Sequence, residues 1–298
     1  MRAAFSAILV VLGCVFAPPA LVGFWAAADI ADTGRYVEDV APLAYNPDVQ
    51  DAIVDRVTGA ITRPLRKRTL SRAEDLVHTL VQAVVRGKEF PAVWEDINRV
   101  THRQLIAILS GEDGRVPPVR DDTVSLDLSP VYHLVKDQVN SLLQRELGGP
   151  LPDLHPAFEL FSSADLVKAQ TAYTWLIRLK WVLPILSLAL LTAGVLLARN
   201  RQRALLGAGL GLAASMFLLA AALAVIRDVY LPDYVDNAMP EATATAVFDA
   251  LTGFLRAGLR VIFAAGLVVA GVAFLACCRK RASRDHQPAA PVNDVAAG

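Results

Sequence analysis

Four stretches of this chain are apolar on every face, and the segments between them have the mixed periodicities of water-facing helices. The first runs from Ala3 to Ala28, interrupted by Pro18 and Pro19. Trp181 to Ala198 holds no ionisable side chain over 18 residues, Ala204 to Ile226 none over 23, and the fourth stretch closes at Cys278. At a rise of about 1.5 Å per residue the two middle segments give roughly 27 and 34 Å of helix, enough for a hydrocarbon core of about 30 Å. A surface helix of a water-soluble protein keeps a polar side, so helices apolar all round predict lipid as their solvent. The predicted fold class is a membrane α-helical protein with four transmembrane helices at 1–28, 181–198, 204–226 and 257–278. A secretory leader has an apolar core of roughly 7 to 15 residues, so the longer first stretch predicts a retained span, kinked at the double proline.

Residues 29–166 predict a mainly helical domain with one small hairpin sheet. After Asn46-Pro47, the residues Val49, Ile53, Val57 and Ile61 recur every four positions and predict one buried stripe. Ser71-x-x-Glu74 has the spacing of a capping box ahead of Leu76, Val77, Leu80, Val81 and Val84. A third helix is predicted from Phe90 to Leu109, with Phe90, Val93, Trp94, Ile97, Leu105 and Ile108 inward. Thr123 to Leu128 alternates polar and apolar like a half-buried strand, and Phe158 to Phe161 is its predicted partner. Between them, Ser129-Pro130 opens a predicted helix ending at Leu147. No breaker stands between Ser163 and Pro184, so the connector 167–180 should run as one helix into the second span, with Trp175 and Trp181 at the interface. The segment 227–256 reads as a loop whose later part is amphipathic through Val247, Leu251, Phe254, Leu255 and Leu259.

Charge sets the expected orientation. The turn 199–203 carries Arg199, Arg201 and Arg203 without an acid, and Arg279, Lys280 and Arg281 open a basic tail, 279–298, that is predicted to be disordered. Short base-rich segments beside spans stay on the cytoplasmic side. Both termini are then cytoplasmic, while 29–166 and 227–256 are extracytoplasmic parts of a multi-pass plasma-membrane protein.

Composition agrees with that reading. The chain is 54% apolar and 19% charged with a mean hydropathy of +0.42, whereas an ordinary soluble domain is about a quarter charged. A net charge of zero argues against a nucleic-acid surface spread over the chain. Cys14, Cys277 and Cys278 all lie in or beside apolar segments, so no disulfide framework holds the polar domain. The adjacent pair beside the basic tail is compatible with S-palmitoylation, though two small buried thiols are the plainer reading.

Candidate chemistry is sparse. No HExxH, GxSxG or paired-cysteine motif occurs, so no catalytic residue, metal ligand or cofactor is assigned. Trp94, Asn98 and His102 share one helical face, where His102 is the candidate base or ligand and a hydrogen-bonded, half-buried side chain is the plainer reading. Arg66, Lys67 and Arg68 form the densest basic cluster, suited to anionic lipid or an anionic cell-wall polymer at about 1 kcal/mol per base, with a solvated loop as the plainer reading. Gly207-x-x-x-Gly211 has the spacing of close helix packing. The spans lack the mid-membrane ionisable groups that a transporter needs.

Several local patterns resemble a group of uncharacterised integral membrane proteins of high-GC actinobacteria, streptomycete-like in composition. They are Tyr36-Val37-x-x-Val40-Ala-Pro-Leu43 with Asn46-Pro-x-Val-Gln50, Phe90-x-x-x-Trp94-x-x-x-Asn98-Arg99-x-x-His102, Val124-x-Leu-Asp-Leu128, and Phe248-Asp249-x-Leu251 with Leu255-Arg256-x-x-Leu259-Arg260. The resemblance implies the same plan, one span, an external domain and three further spans, and it supplies no activity. The expected function is an envelope interaction, sensing or scaffold protein whose partners are the bilayer and an anionic lipid, a cell-wall polymer or another membrane protein. An external enzyme with a site around His102 and a small transporter subunit are the alternatives.

Overall fold

Elements begin and end where the local chemistry allows. The computed structural model describes residues 2–62, 71–111, 119–120, 123–127, 157–231 and 240–285. Helix α1 (Arg2–Trp25) passes into a π turn, Ala26–Ile30, in which the Ala31 N–H reaches the Ala26 carbonyl at 3.0 Å. Next comes α2 (Thr33–Val40), whose N-cap Asp32 accepts from the Arg35 N–H at 3.0 Å, followed by a 3-10 turn, Ala41–Tyr45. Asn46 accepts from the Val49 N–H at 3.2 Å and Pro47 takes the first helical position, so α3 (Pro47–Thr62) starts cleanly. After α4 (Ser71–Val85), α5 (Phe90–Ser110) stops at Gly111, whose φ of 67° is the left-handed conformation that glycine adopts without strain. Gln170 Nε2 donates to the Ile108 carbonyl at 2.8 Å and satisfies one of that helix's last acceptors.

The backbones of β1 (Val119–Arg120), β2 (Thr123–Asp127) and β3 (Ala157–Ser162) pair antiparallel in that order. Val124 lies opposite Phe161 and Ser125 opposite Glu159, so the register slips by one residue there. Helix α6 (Ser163–Leu197) follows without a break and carries Pro184 inside it. A three-residue turn leads into α7 (Arg201–Val225), a second π turn (Ile226–Tyr230), α8 (Glu241–Leu251) and α9 (Gly253–Asp285). Among the described residues, four segments are long and apolar enough to cross a membrane: Ala3–Ile30, Leu166–Leu197, Arg201–Val229 and Gly253–Arg279.

The chain divides into two compact units. One consists of Met1–Leu21, Val182–Ala220 and Gly258–Gly298, and the other of Val22–Trp181 and Ala221–Ala257. In the first, the apolar unit, buried positions are held mostly by small residues such as Ala17, Ala20, Ala213, Ala270 and Ala273. A Cβ on Gly209 would stand 2.6 Å from the Gly266 carbonyl oxygen and 2.7 Å from the Ala270 nitrogen, so the backbones of α7 and α9 touch there. Hydroxyls close two other crossings, Ser6 donating to the Gly194 carbonyl at 2.6 Å and Ser187 to that of Gly13 at 2.8 Å.

The second, the helical unit, is built the opposite way. Val40, Leu43, Val49, Val54, Val85 and Phe90 are buried between α2, α3, α4 and α5. Ala246, Val247, Ala250 and Leu251 of α8 pack on the same core, and Thr243 donates to the Asp48 carbonyl at 2.9 Å. The segment 227–256 is therefore more than a loop, because its amphipathic helix is one wall of this unit.

Several expectations are corrected. The stripe on α3 does not stay buried: Val57 is 38% exposed, while Val54 is 1% exposed. Residues four apart advance about 40° beyond a full turn on a helix of 3.6 residues per turn, so a strict four-residue repeat drifts off the face. The base-rich turn is shorter than 199–203, since Arg201 and Arg203 already lie in the first turn of α7. The last helix does not stop at Cys278 but continues through Arg279, Lys280 and Arg281 to Asp285, with no proline or glycine to end it earlier. Gly207 has no atom near its Cβ position, and close packing falls on Gly209 and Gly211, the latter against the Cys14 sulfur. The cluster Arg66, Lys67 and Arg68, the capping-box side chains and the helix 130–147 lie outside the described residues.

Candidate functional site

The predicted face Trp94, Asn98 and His102 does assemble, but it points inward. Residues spaced by four on α5 form one row, and α2 and the first π turn lie against it. Indole Nε1 of Trp94 donates to the Val40 carbonyl at 2.9 Å, and Asn98 Nδ2 to the Trp94 carbonyl at 2.8 Å. Tyr36 donates to Asn98 Oδ1 at 3.5 Å. His102 is 5% exposed, so it is neither a surface contact nor open to a substrate. A histidine on the apolar side of an amphipathic helix is drawn in with that side, and here each ring nitrogen finds a partner.

Those partners fix its chemistry. Nε2 lies 2.9 Å from the Ile30 carbonyl, which only accepts, so the proton sits on Nε2 and Nδ1 accepts from the Thr33 hydroxyl at 3.1 Å. Tyr36 stacks on the ring at a centroid distance of 4.0 Å and an angle of 16°. Burial lowers the pKa of His102, with the Ile30 carbonyl and Asp32 pulling the other way, and burial raises that of Tyr36. Both shifts favour the neutral form, and a neutral ring with both nitrogens engaged is a clamp between α5, α2 and the π turn.

Beside this seam lies a feature that the apolar pattern conceals. Asp29, in the π turn, is 4% exposed and leaves Oδ2 without a partner. Burial first, then the neighbouring Asp29 carboxyl, push Asp39 up from 3.8 to about 6, with Glu38 adding and Arg35 opposing. A sequence signal existed. Asp29 is an acid at the very end of an apolar run, and Asp39 lies one turn from Tyr36 on α2.

A second polar cluster ties α8 down. Asp249 accepts from Arg227 Nη2 at 2.9 Å and from Arg256 Nη2 at 2.6 Å, and the two guanidiniums, Arg227 first, lower its pKa. Arg256 also lies over the Phe248 ring at 5.6 Å. Asp48, Glu241, Thr245 and Asp249 line an open depression nearby. Among the described residues no group of three His, Cys, Asp or Glu side chains is placed to hold a metal ion. No protein-family model, no curated protein and no solved structure matches this chain.

Proposed function

We propose that this protein is a multi-pass plasma-membrane protein that holds its helical unit on the extracytoplasmic side as an interaction or sensing scaffold. The multi-pass part is supported by four helices long and apolar enough to cross a bilayer. The scaffold part is carried by one observation: His102, the best candidate for chemistry, is closed in by Ile30, Thr33 and Tyr36. Orientation rests on Arg199, Arg201 and Arg203 between α6 and α7 and on Arg279 in the last helix, bases that stay on the side of synthesis. Lipid surrounds the apolar helices. The external partner we favour is another membrane protein, with anionic lipid or cell-wall polymer as the chemistry suited to Arg66, Lys67 and Arg68.

Two measurements test this. In a cysteine-free background, a membrane-impermeant maleimide should label Asp96→Cys in intact cells and Asn200→Cys only after lysis. The reverse pattern inverts the topology. Crosslinking of intact cells through residues on the helical unit should give a discrete adduct, and the absence of any adduct above background removes the scaffold role.

A further inference from the structure

Three residues on α6 carry polar hydrogens that nothing in the protein accepts, and they share a face. Successive steps of three leave a helix about 60° short of a full turn, so Trp175 and Trp181 stand about 60° to either side of Arg178. All three are exposed, the tryptophans at 56% and 60%. The other two tryptophans of the chain are satisfied: Trp25 Nε1 donates to the Leu251 carbonyl at 3.0 Å and Trp94 Nε1 to that of Val40. Trp175 and Trp181 donate to no group among the described residues, although Trp181 meets the Phe24 ring edge-on with centroids 5.9 Å apart. Arginines divide in the same way. Arg227 and Arg256 share Asp249, whereas Arg178 has no ion pair or hydrogen bond among the described residues. The sequence offers it no acid nearby, since none occurs between Asp165 and Asp228.

An indole N–H and a guanidinium donate and cannot accept, so this face calls for an anion rich in acceptor oxygens. One turn beyond Arg178 the helix loses its charges: from Trp181 to Ala198 no side chain ionises. An occupant lying along α6 therefore has an anionic, oxygen-rich head and an apolar body. A carboxylate on another protein meets the first requirement, and a phospholipid meets both. The planar fork of a guanidinium matches two phosphate oxygens, and indole rings settle at headgroup level with the N–H toward the polar side. We propose that Trp175, Arg178 and Trp181 form a binding site for the phosphate of an anionic phospholipid, whose acyl chains lie against the uncharged run that follows. The site rests on α6 spanning a bilayer and holds for either orientation of the chain. Lys180, about 200° around the helix from Arg178, takes no part.

The experiment uses the full chain purified in a neutral detergent. Native mass spectrometry with phosphatidylglycerol and phosphatidylcholine of identical acyl chains should show phosphatidylglycerol held about fivefold more tightly, the effect of one base beside an anionic headgroup. Arg178→Gln should abolish that preference. Arg178→Lys should keep part of it, because the charge stays while the fork is lost. Lys180→Gln removes the same charge from the other side of the helix and should leave the preference unchanged. Arg178 bonds to nothing in the protein, so thermal unfolding of these variants should match wild type. Inorganic phosphate, which has no chains, should not displace the lipid, and displacement would overturn a phospholipid as the occupant. Equal retention of the two lipids by wild type, or a preference that survives Arg178→Gln, overturns the site while leaving the membrane reading intact. Release of the protein from cell membranes by alkaline carbonate would overturn that reading and the site with it.

Discussion

The two units of this protein are inside-out versions of one another, and the contrast identifies their solvents. In the helical unit the interior is Val, Leu and Phe, as water requires, because burial of apolar surface drives the packing. In the apolar unit the large side chains, among them Phe217, Leu218, Val268 and Phe274, point outward, and the interior is mostly alanine, glycine and serine. Lipid tails solvate leucine as well as another leucine does, so large apolar groups gain nothing by turning inward, and close backbone approach with a few hydroxyl bonds holds the helices instead. Hydropathy alone marks both units as rich in apolar residues. The direction in which those residues face separates them.

The sharpest way to break this comparison is to enlarge the contact between α7 and α9. Gly209→Leu drives a side chain into the Gly266 carbonyl and the Ala270 backbone, neither of which can step aside. Overpacking of this kind costs about 3 kcal/mol or more. Gly207→Leu, with open space at its Cβ position, should cost under about 0.5 kcal/mol. Equilibrium unfolding in mixed micelles measures both, and equal losses would show that the close seam lies elsewhere.

The next effect crosses between the units. Val54→Ala removes only two methyl groups from a side chain 1% exposed, yet it should cost about 2 kcal/mol through lost transfer energy and a cavity. Leu218→Ala removes more carbon from a side chain 68% exposed and should cost under about 0.5 kcal/mol once the helix is inserted. Thermal unfolding in nanodiscs ranks the pair. If Leu218→Ala proved the more damaging, the outward face of α7 would be packed against protein.

The contrast also explains what the sequence could and could not tell. The four apolar helices were legible because a run such as Ala204 to Ile226 leaves no face for water. Phe90 and the α5 boundaries were legible from period and from Gly111. The α3 face was not legible, because Val57 fits a four-residue repeat that the helix does not follow. Spacing points to Gly207 rather than Gly209 because it gives a pattern without a partner, and the partner, Gly266, is 57 residues away. The burial of Asp29 is signalled only by its place at the end of an apolar run, because a π turn has no composition of its own.

The smallest predicted effect concerns pH and is read in the helical unit, where His102 is buried. Burial holds the His102 pKa below 6.5 in the folded protein. The unfolded chain therefore takes up the proton first as pH falls, and stability is full above about 6.5 and declines below it toward the lowered folded value. One proton limits that slope to about 1.4 kcal/mol per pH unit. Asp39 works in the opposite sense, since its folded pKa of about 6 lies above 3.8: its contribution is full below 3.8 and is lost as pH rises through 6. The two slopes offset one another, so the histidine must be read in an Asp39→Asn background. There, global amide exchange of α5 should reveal stability falling on acidification below about pH 6.5, and adding His102→Asn should flatten the curve. A curve that keeps its slope without the imidazole would mean that another group in the helical unit takes up the proton.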